Sequence, residues 1–262
     1  MIIKIYSDLI TKYNYTDLKI MNFINIYLNA TKIQKVWRGY FERKPVFDIV
    51  KNFSDLIDID KLRNLVDKEF TNTIRGKIAK EENSNLKIDS DISEYFIKEC
   101  IEEGKRVGKG SGPIDVVNEE LFIDVACLCM DGNKTNEKSI MQNFEKSGND
   151  LDKYFKHKND KSAVELYLND LNEKWGKIPK NIYYIIFIST KKNVYLSVLK
   201  INKDKLLYVK SKGFTKQGKS IQTKGFINSN YGAVILYKSK KRFELRLTNK
   251  ILKYSNKLFT LT

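Results

Sequence analysis

The sequence has 262 residues, of which 42% are hydrophobic and 12% aromatic, so a substantial core can form and extensive disorder is not expected. A formal net charge of +16 favours an acidic polymer as partner, and nucleic acid is the first candidate. Since His157 is the single histidine, zinc sites of the Cys/His type and histidine-dependent nucleases are not expected.

The N-terminal third of the chain is predicted to be helical. Apolar residues recur at steps of three to five over residues 17–42, which predicts a long amphipathic helix. A second helical stretch, in two or more pieces, is predicted over 46–80, and the polar segment 81–87 is expected to be a linker or loop. We therefore predict a helical N-terminal region over residues 1–85 and a second domain over 86–262.

An IQ-like sequence lies within the first predicted helix. Residues 33–43, IQKVWRGYFER, fit the complete pattern IQxxxRGxxxR. This resembles the IQ motif, a basic amphipathic helix that binds calmodulin or its light-chain relatives. A basic helix that packs on its own domain is the alternative. A functional IQ motif would imply that the protein works in a eukaryotic cell, where a virus could have brought it.

The second domain is predicted to begin with a helix and a pair of strands. The helix is predicted over 92–103, and a Gly- and Lys-rich loop follows it over 104–112. The short apolar runs 113–117 and 121–130 are separated by a polar tripeptide. This pattern predicts a β-hairpin or two adjacent strands.

The remaining elements are predicted to complete a mixed sheet. Helices are predicted over 136–156 and 163–175, and the continuous apolar run 183–189 predicts a strand that is buried on both faces. Further strands are predicted over 194–201, 206–209, 232–238 and 243–247. This order of elements predicts an α/β or α+β fold in which helices flank a mixed central sheet.

Two aspartates fall in the predicted hairpin. Asp115 opens the first strand, and Asp124 lies inside the second strand between Ile123 and Val125. A carboxylate in an apolar strand needs a partner, and a metal ion that prefers oxygen ligands is a suitable one. The alternative is a purely structural pair, in which one aspartate belongs to a turn and the other is buried and hydrogen-bonded.

This arrangement resembles the PD-(D/E)xK nucleases, and among them the type II restriction endonucleases. The sequence PID ends at Asp115 and is followed by Asp124-x-Ala126, while residues 91–190 follow the family's order of helix, acid-bearing strands, helix and buried strand. The resemblance implies a nuclease core that cuts double-stranded DNA at specific sequences, a Mg²⁺ site at the two aspartates, and a homodimer on palindromic sites. Glu99 is either a third active-site carboxylate or an acid at the edge of an apolar helix face.

Position 126 departs from the family pattern. The motif lysine falls there, and this chain has Ala126. Three explanations remain open: a deliberate replacement that gives an inactive protein, a naturally degenerate relative, or a misassigned motif. We favour the first, because a single substitution would restore an ordinary active-site strand. The alternative functions are a repair nuclease of the same superfamily and a non-catalytic DNA-binding protein that is regulated through the IQ-like helix.

The positive charge is concentrated towards the C-terminal end. Residues 205–262 carry 12 Lys and 2 Arg against a single acid, Glu244, which gives them +13 of the net +16. This asymmetry predicts a surface that binds the phosphates of a nucleic acid. The alternative is a solvent-exposed basic loop that contacts no partner. In the stretch 210–225, glutamines are also expected to meet adenine edges in the major groove. The residues expected to contact DNA are Lys105, Arg106, Lys109, Lys210, Lys212, Lys216, Gln217, Lys219, Gln222 and Lys224.

The cysteines and the N-terminal sequence bear on the compartment. Cys100, Cys127 and Cys129 are odd in number, and the first residues contain no secretory signal, so we expect an intracellular protein, in the cytoplasm or inside the host cell of a virus. No apolar stretch approaches the ~18 residues that a membrane-spanning helix needs, so no membrane partner is expected.

Overall fold

A computed structural model describes part of the chain, namely residues 26, 28–32, 45–71, 73–107, 114–140, 165–166, 168–169, 172–173, 178, 180–214, 220–237 and 242–261. The chain divides into two compact units, residues 1–44 and 45–262. In the first unit the described residues 26 and 28–32 are helical, and they lie within the helix predicted over 17–42. The IQ-like stretch 33–43 lies outside the described residues.

The described residues of the larger unit include three α-helices: α1 (Ile59–Thr71), α2 (Ile74–Glu81) and α3 (Ser90–Cys100). In α1, Leu62, Val66 and Phe70 recur every four residues and are buried, so the helix has one continuous apolar face. The helix predicted over 92–103 corresponds to α3. Because α1 and α2 share a unit with the strands, the predicted boundary after residue 85 falls inside that unit. None of the helices in the described part of the chain is long and apolar enough to cross a membrane.

Eight strands of the described residues form a mixed central sheet. Its order is β1-β8-β7-β4-β3-β2, with β13 paired to β8 and β5 paired to β4. The pairing of β4 with β7 is parallel, and that of β3 with β4 is antiparallel. The strands of this sheet are β1 (Phe47–Val50), β2 (Lys105–Arg106), β3 (Val116–Val117), β4 (Leu121–Asp131), β5 (Lys134–Thr135), β7 (Asn181–Ser189), β8 (Asn193–Ile201) and β13 (Asn256–Thr260).

A second, antiparallel sheet of five described strands has the order β6-β12-β11-β10-β9. Its strands are β6 (Lys138–Ile140), β9 (Lys210–Phe214), β10 (Ser220–Lys224), β11 (Gly232–Tyr237) and β12 (Arg242–Leu247). The larger unit is therefore a mixed α and β structure of the α+β kind, with a mixed central sheet.

The central sheet has a buried core on each face. One core joins α1 and α3 to residues such as Ile123 and Val125 of β4. The other joins the second sheet to residues such as Ala126 and Leu128 of β4. Because side chains alternate along a strand, Asp124 points to the same face as Ala126.

Three segments differ from the sequence-based predictions. Residues 47–50 form a strand that pairs with β8, although a helix was expected there. Residues 206–209 were predicted as a strand, but they overlap a 3-10 helix over Lys203–Tyr208. Residues 138–140 form a strand that pairs with β12 and not the start of a helix. These segments of three or four residues are too short to establish a period, so their partners determine their structure.

Candidate active site

The hairpin of β3 and β4 places Asp115 beside Asp124. Val116 lies opposite Ile123 in the antiparallel pairing, and Asp115 immediately precedes β3. The N–H of Asp115 donates to the carbonyl oxygen of Ile123 at 2.9 Å. Its carboxylate Oδ2 accepts a bond from the N–H of Val125 at 2.7 Å. Asp115 thus bonds to the residues before and after Asp124, which places Asp115 and Asp124 side by side where β3 begins.

The bond from Val125 has a structural purpose. It satisfies a backbone N–H of β4 just beyond the start of β3, and an unsatisfied N–H in a partly buried strand would be costly. A purely structural role for Asp115, without a metal ion, would require a bond of this kind. A carboxylate nevertheless has two oxygens and about four acceptor sites, so a single N–H bond does not prevent Asp115 from binding a metal ion as well.

Asp124 and position 126 share one face of β4, as predicted. The parallel pairing with β7 places Tyr184 opposite Asp124 and Ile186 opposite Ala126. Asp124 is only partly buried, whereas Ala126 is 2% exposed and belongs to the core between the two sheets. A lysine at position 126 would therefore have to direct its amine along the strand towards Asp124, because a buried ammonium needs a negative partner.

The sequence analysis missed a cation on this side of the hairpin. Lys180 immediately precedes β7, and its Nζ lies 5.1 Å from the centre of the Phe122 ring. The same Nζ donates to the carbonyl oxygen of Asn118 at 2.7 Å. Phe122 packs on the core that also contains Ala126, so Lys180 lies at the end of the face that carries Asp124. The signal in the sequence is a lysine directly before a strand that runs parallel to the acid-bearing strand.

Glu99 lies with two lysines. Its Oε1 accepts a bond from Lys98 at 2.6 Å, and its Oε2 lies 3.8 Å from the amine of Lys61. The bond from Lys98 lowers the pKa of the Glu99 carboxyl. α3 packs on the opposite face of the sheet from Ala126, and in the described residues no three His, Cys, Asp or Glu side chains form a possible metal site. Asp115 and Asp124 are therefore the pair on which a metal site would depend.

The basic segment after α3 lies directly beside the aspartates. The expected loop begins as a strand, because Lys105 and Arg106 form β2 and pair with β3. The N–H of Val107 donates to the carbonyl oxygen of Asp115 at 2.9 Å. Lys105 is exposed and pairs with Val117, two residues after Asp115, whereas Lys109 lies outside the described residues.

Arg106 is engaged by acids of α3. Its Nη2 lies 2.6 Å from an oxygen of Asp91 and 2.6 Å from an oxygen of Glu94. Its bonds to Glu94 and Asp91 raise the pKa of the guanidinium above its ordinary value. A phosphate contact by Arg106 would have to compete with these two carboxylates, which the sequence did not predict.

The basic stretch 210–225 contains a hairpin. β9 and β10 pair antiparallel, with an irregularity between Gln222 and Thr223. Lys210 and Lys212 lie in β9 and Lys224 is exposed in β10, whereas residues 215–219, with Lys216, Gln217 and Lys219, lie outside the described residues. A two-stranded ribbon is one of the elements that the major groove admits.

An acidic groove of about 980 Å³ lies at the end of the sheet where β4 and β7 begin. Its acidic residues come from three segments that are far apart in sequence: Asp55, Asp58, Asp60, Glu102, Glu103, Glu119 and Glu120. Such a concentration of negative charge repels phosphates. A nucleic acid would therefore have to approach from a side other than this groove.

Comparison of the chain with protein-family models, with curated proteins and with solved structures gives no match. The function of this protein is therefore inferred from its own residues and their geometry.

Proposed function

We propose that the protein is a Mg²⁺-dependent endonuclease of the PD-(D/E)xK type, acting on specific sequences in double-stranded DNA. The observation that carries this proposal is the adjacency of Asp115 and Asp124 at the β3–β4 hairpin, with position 126 on the Asp124 face. The donor set contains oxygen ligands alone, which suits a hard cation.

The order of elements around the aspartates supports the proposal. α3 is followed by β2, β3 and β4, then by described helical residues between 165 and 173, and finally by β7, which is parallel to β4. This is the order of helix, acid-bearing strands, helix and buried strand on which the resemblance was based. β7 is buried over most of its length, as that order requires.

The residues have distinct parts in the proposed reaction. Asp115 and Asp124 hold Mg²⁺, and the Val125 N–H fixes the orientation of the Asp115 carboxylate. When bound, the metal ion offsets charge on the scissile phosphate and makes a water molecule more acidic. Lys105 of β2, which lies opposite Val117, binds a backbone phosphate near the site, and the β9–β10 hairpin supplies further lysines for the duplex. A homodimer would match palindromic sites.

The metal site gives the first test. Replacing Asp124 by asparagine should weaken Mg²⁺ or Ca²⁺ binding by more than about 100-fold, since loss even of groups that only orient a ligand costs 10–100-fold. Isothermal titration calorimetry measures this, with Asp131→Asn at the exposed end of the same strand as the matched control. Equal affinities of the wild type and Asp124→Asn would show that these aspartates are not the metal ligands.

A second candidate function is a DNA-binding protein without catalysis. The observation that favours it is Ala126, which is buried and brings no charge to the position where the family has its lysine. Both candidates predict DNA binding by this chain. They differ after Ala126→Lys, because only the nuclease then gains cutting activity.

A further inference from the structure

A small pocket lies at the edge strand of the central sheet, separate from the two aspartates. It has a volume of about 160 Å³ and forms where the end of β1, the turn before β11 and the 3-10 helix Asn249–Tyr254 meet. A cavity of roughly 150 Å³ accommodates benzene, whereas drug-sized ligands occupy roughly 300 Å³ or more. The pocket therefore fits one planar six-membered ring and is too small for a fused pair of rings.

Two tyrosines form an ordered aromatic wall. The rings of Tyr231 and Tyr254 are 5.2 Å apart and inclined at 74°. A hydrogen bond between their hydroxyls raises the pKa of Tyr231 and lowers that of Tyr254. The amine of Lys51 lies 5.3 Å from the centre of the Tyr254 ring. These contacts hold the rings in place before a ligand arrives, which reduces the entropy lost on stacking.

The backbone of β1 supplies polar groups along the same edge. The N–H of Phe47 donates to the carbonyl oxygen of Phe226 and so points away from β8. Because backbone directions alternate along an antiparallel strand, the N–H and C=O of Ile49, which lines the pocket, also point away from β8. One donor and one acceptor on a single residue match the paired donor and acceptor on the edge of a pyrimidine base.

The pocket is in line with the candidate active site. Ile49 of β1 pairs with Leu199 of β8. Leu199 also pairs with Tyr184 of β7, and Tyr184 pairs with Asp124 of β4. Three strand spacings give roughly 14 Å between Ile49 and Asp124, comparable with the roughly 12 Å width of the major groove.

We infer that this pocket binds a pyrimidine base turned out of the DNA duplex, with the base stacked on Tyr254 and hydrogen-bonded to the backbone of Ile49. The inference rests on the proposed DNA-binding function and adds to it a site for one base. An unpaired base should bind more readily than a paired one, because extrusion from an intact pair costs free energy. A purine base should not bind, because its two fused rings are too large for the pocket.

The test uses the full chain and three labelled duplexes that differ at one position. They contain a normal pair, a cytosine opposite an abasic site, or an adenine opposite an abasic site, and fluorescence anisotropy gives each dissociation constant. We expect the cytosine duplex to bind roughly tenfold more tightly than the other two, in the range of base–aromatic stacking. Tyr254→Ala should remove this preference, whereas Tyr254→Phe should retain it.

The controls separate the possible failures. Tyr95→Ala removes a tyrosine that is 50% exposed on α3, and it should leave the preference unchanged. Equal binding of all three duplexes by the wild-type protein would overturn the inference and leave DNA binding intact. Absence of binding to every duplex would overturn the proposed function itself. Binding of free deoxycytidine without a preference among the duplexes would indicate a nucleoside site and would also overturn the inference.

Discussion

Replacing Ala126 by lysine should raise the rate of Mg²⁺-dependent plasmid nicking by about 10²–10⁴-fold, the usual contribution of a positioned acid–base group. The side chain at position 126 shares its face with Asp124, so the amine of a lysine there can reach the proposed metal site and orient or deprotonate a water molecule. Alanine offers neither charge nor a transferable proton. The rate is measured as loss of supercoiled plasmid with enzyme in excess.

The burial of Ala126 determines the control for this experiment. The residue is 2% exposed, so a long side chain disturbs packing whether or not it carries charge. Ala126→Met adds a chain of similar length without an amine and should leave nicking at the wild-type rate. Thermal unfolding of both variants shows whether they fold. A folded Ala126→Lys protein that binds DNA and nicks no faster than Ala126→Met would show that the motif alignment is wrong.

The affinity for duplex DNA should fall by about 10³-fold or more between 50 and 200 mM salt, as for proteins that neutralise roughly six or more phosphates. The cause is the net charge of +13 over residues 205–262, which releases counterions from DNA on binding. Fluorescence anisotropy over a range of salt concentrations gives the slope of log affinity against log salt. A flat response would contradict the assignment of this region to phosphate contacts.

Two variants with the same change in charge locate the contact surface. The first replaces four lysines of the β9–β10 hairpin and its connection by alanine: Lys212, Lys216, Lys219 and Lys224. The second replaces four exposed lysines elsewhere: Lys68, Lys77, Lys87 and Lys192. Each phosphate contact contributes about 0.9 to the slope, so the first variant should lower it by roughly 3–4 and the second should leave it unchanged.

Much of the central sheet could be predicted from local pattern. The run over 183–189 is apolar except for Ser189 at its end. It forms most of β7, whose side chains are buried on both faces of the sheet. The hairpin followed from two apolar runs around a polar tripeptide, and it brought Asp115 to Asp124. Patterns of this length have a period of their own, so they identify strands without knowledge of the partner.

Features that depend on distant segments could not be predicted in this way. Glu99 pairs with Lys61, and Arg106 pairs with two acids of α3, because helices and strands bring these side chains together. The aromatic pocket combines Lys51 with Tyr231 and Tyr254, which are about 180 and 200 residues further along the chain. Residues 47–50 form a strand because they pair with the edge of β8.

Digestion of one sequenced plasmid tests whether Asp115 and Asp124 form the metal site of a sequence-specific nuclease. The Ala126→Lys protein and the Ala126→Lys/Asp124→Asn protein are incubated with the plasmid and Mg²⁺, and the fragment ends are sequenced. We expect ends at one recurring sequence with the first protein and an intact plasmid with the second. An intact plasmid with both proteins, or equal cutting by both, would contradict this assignment.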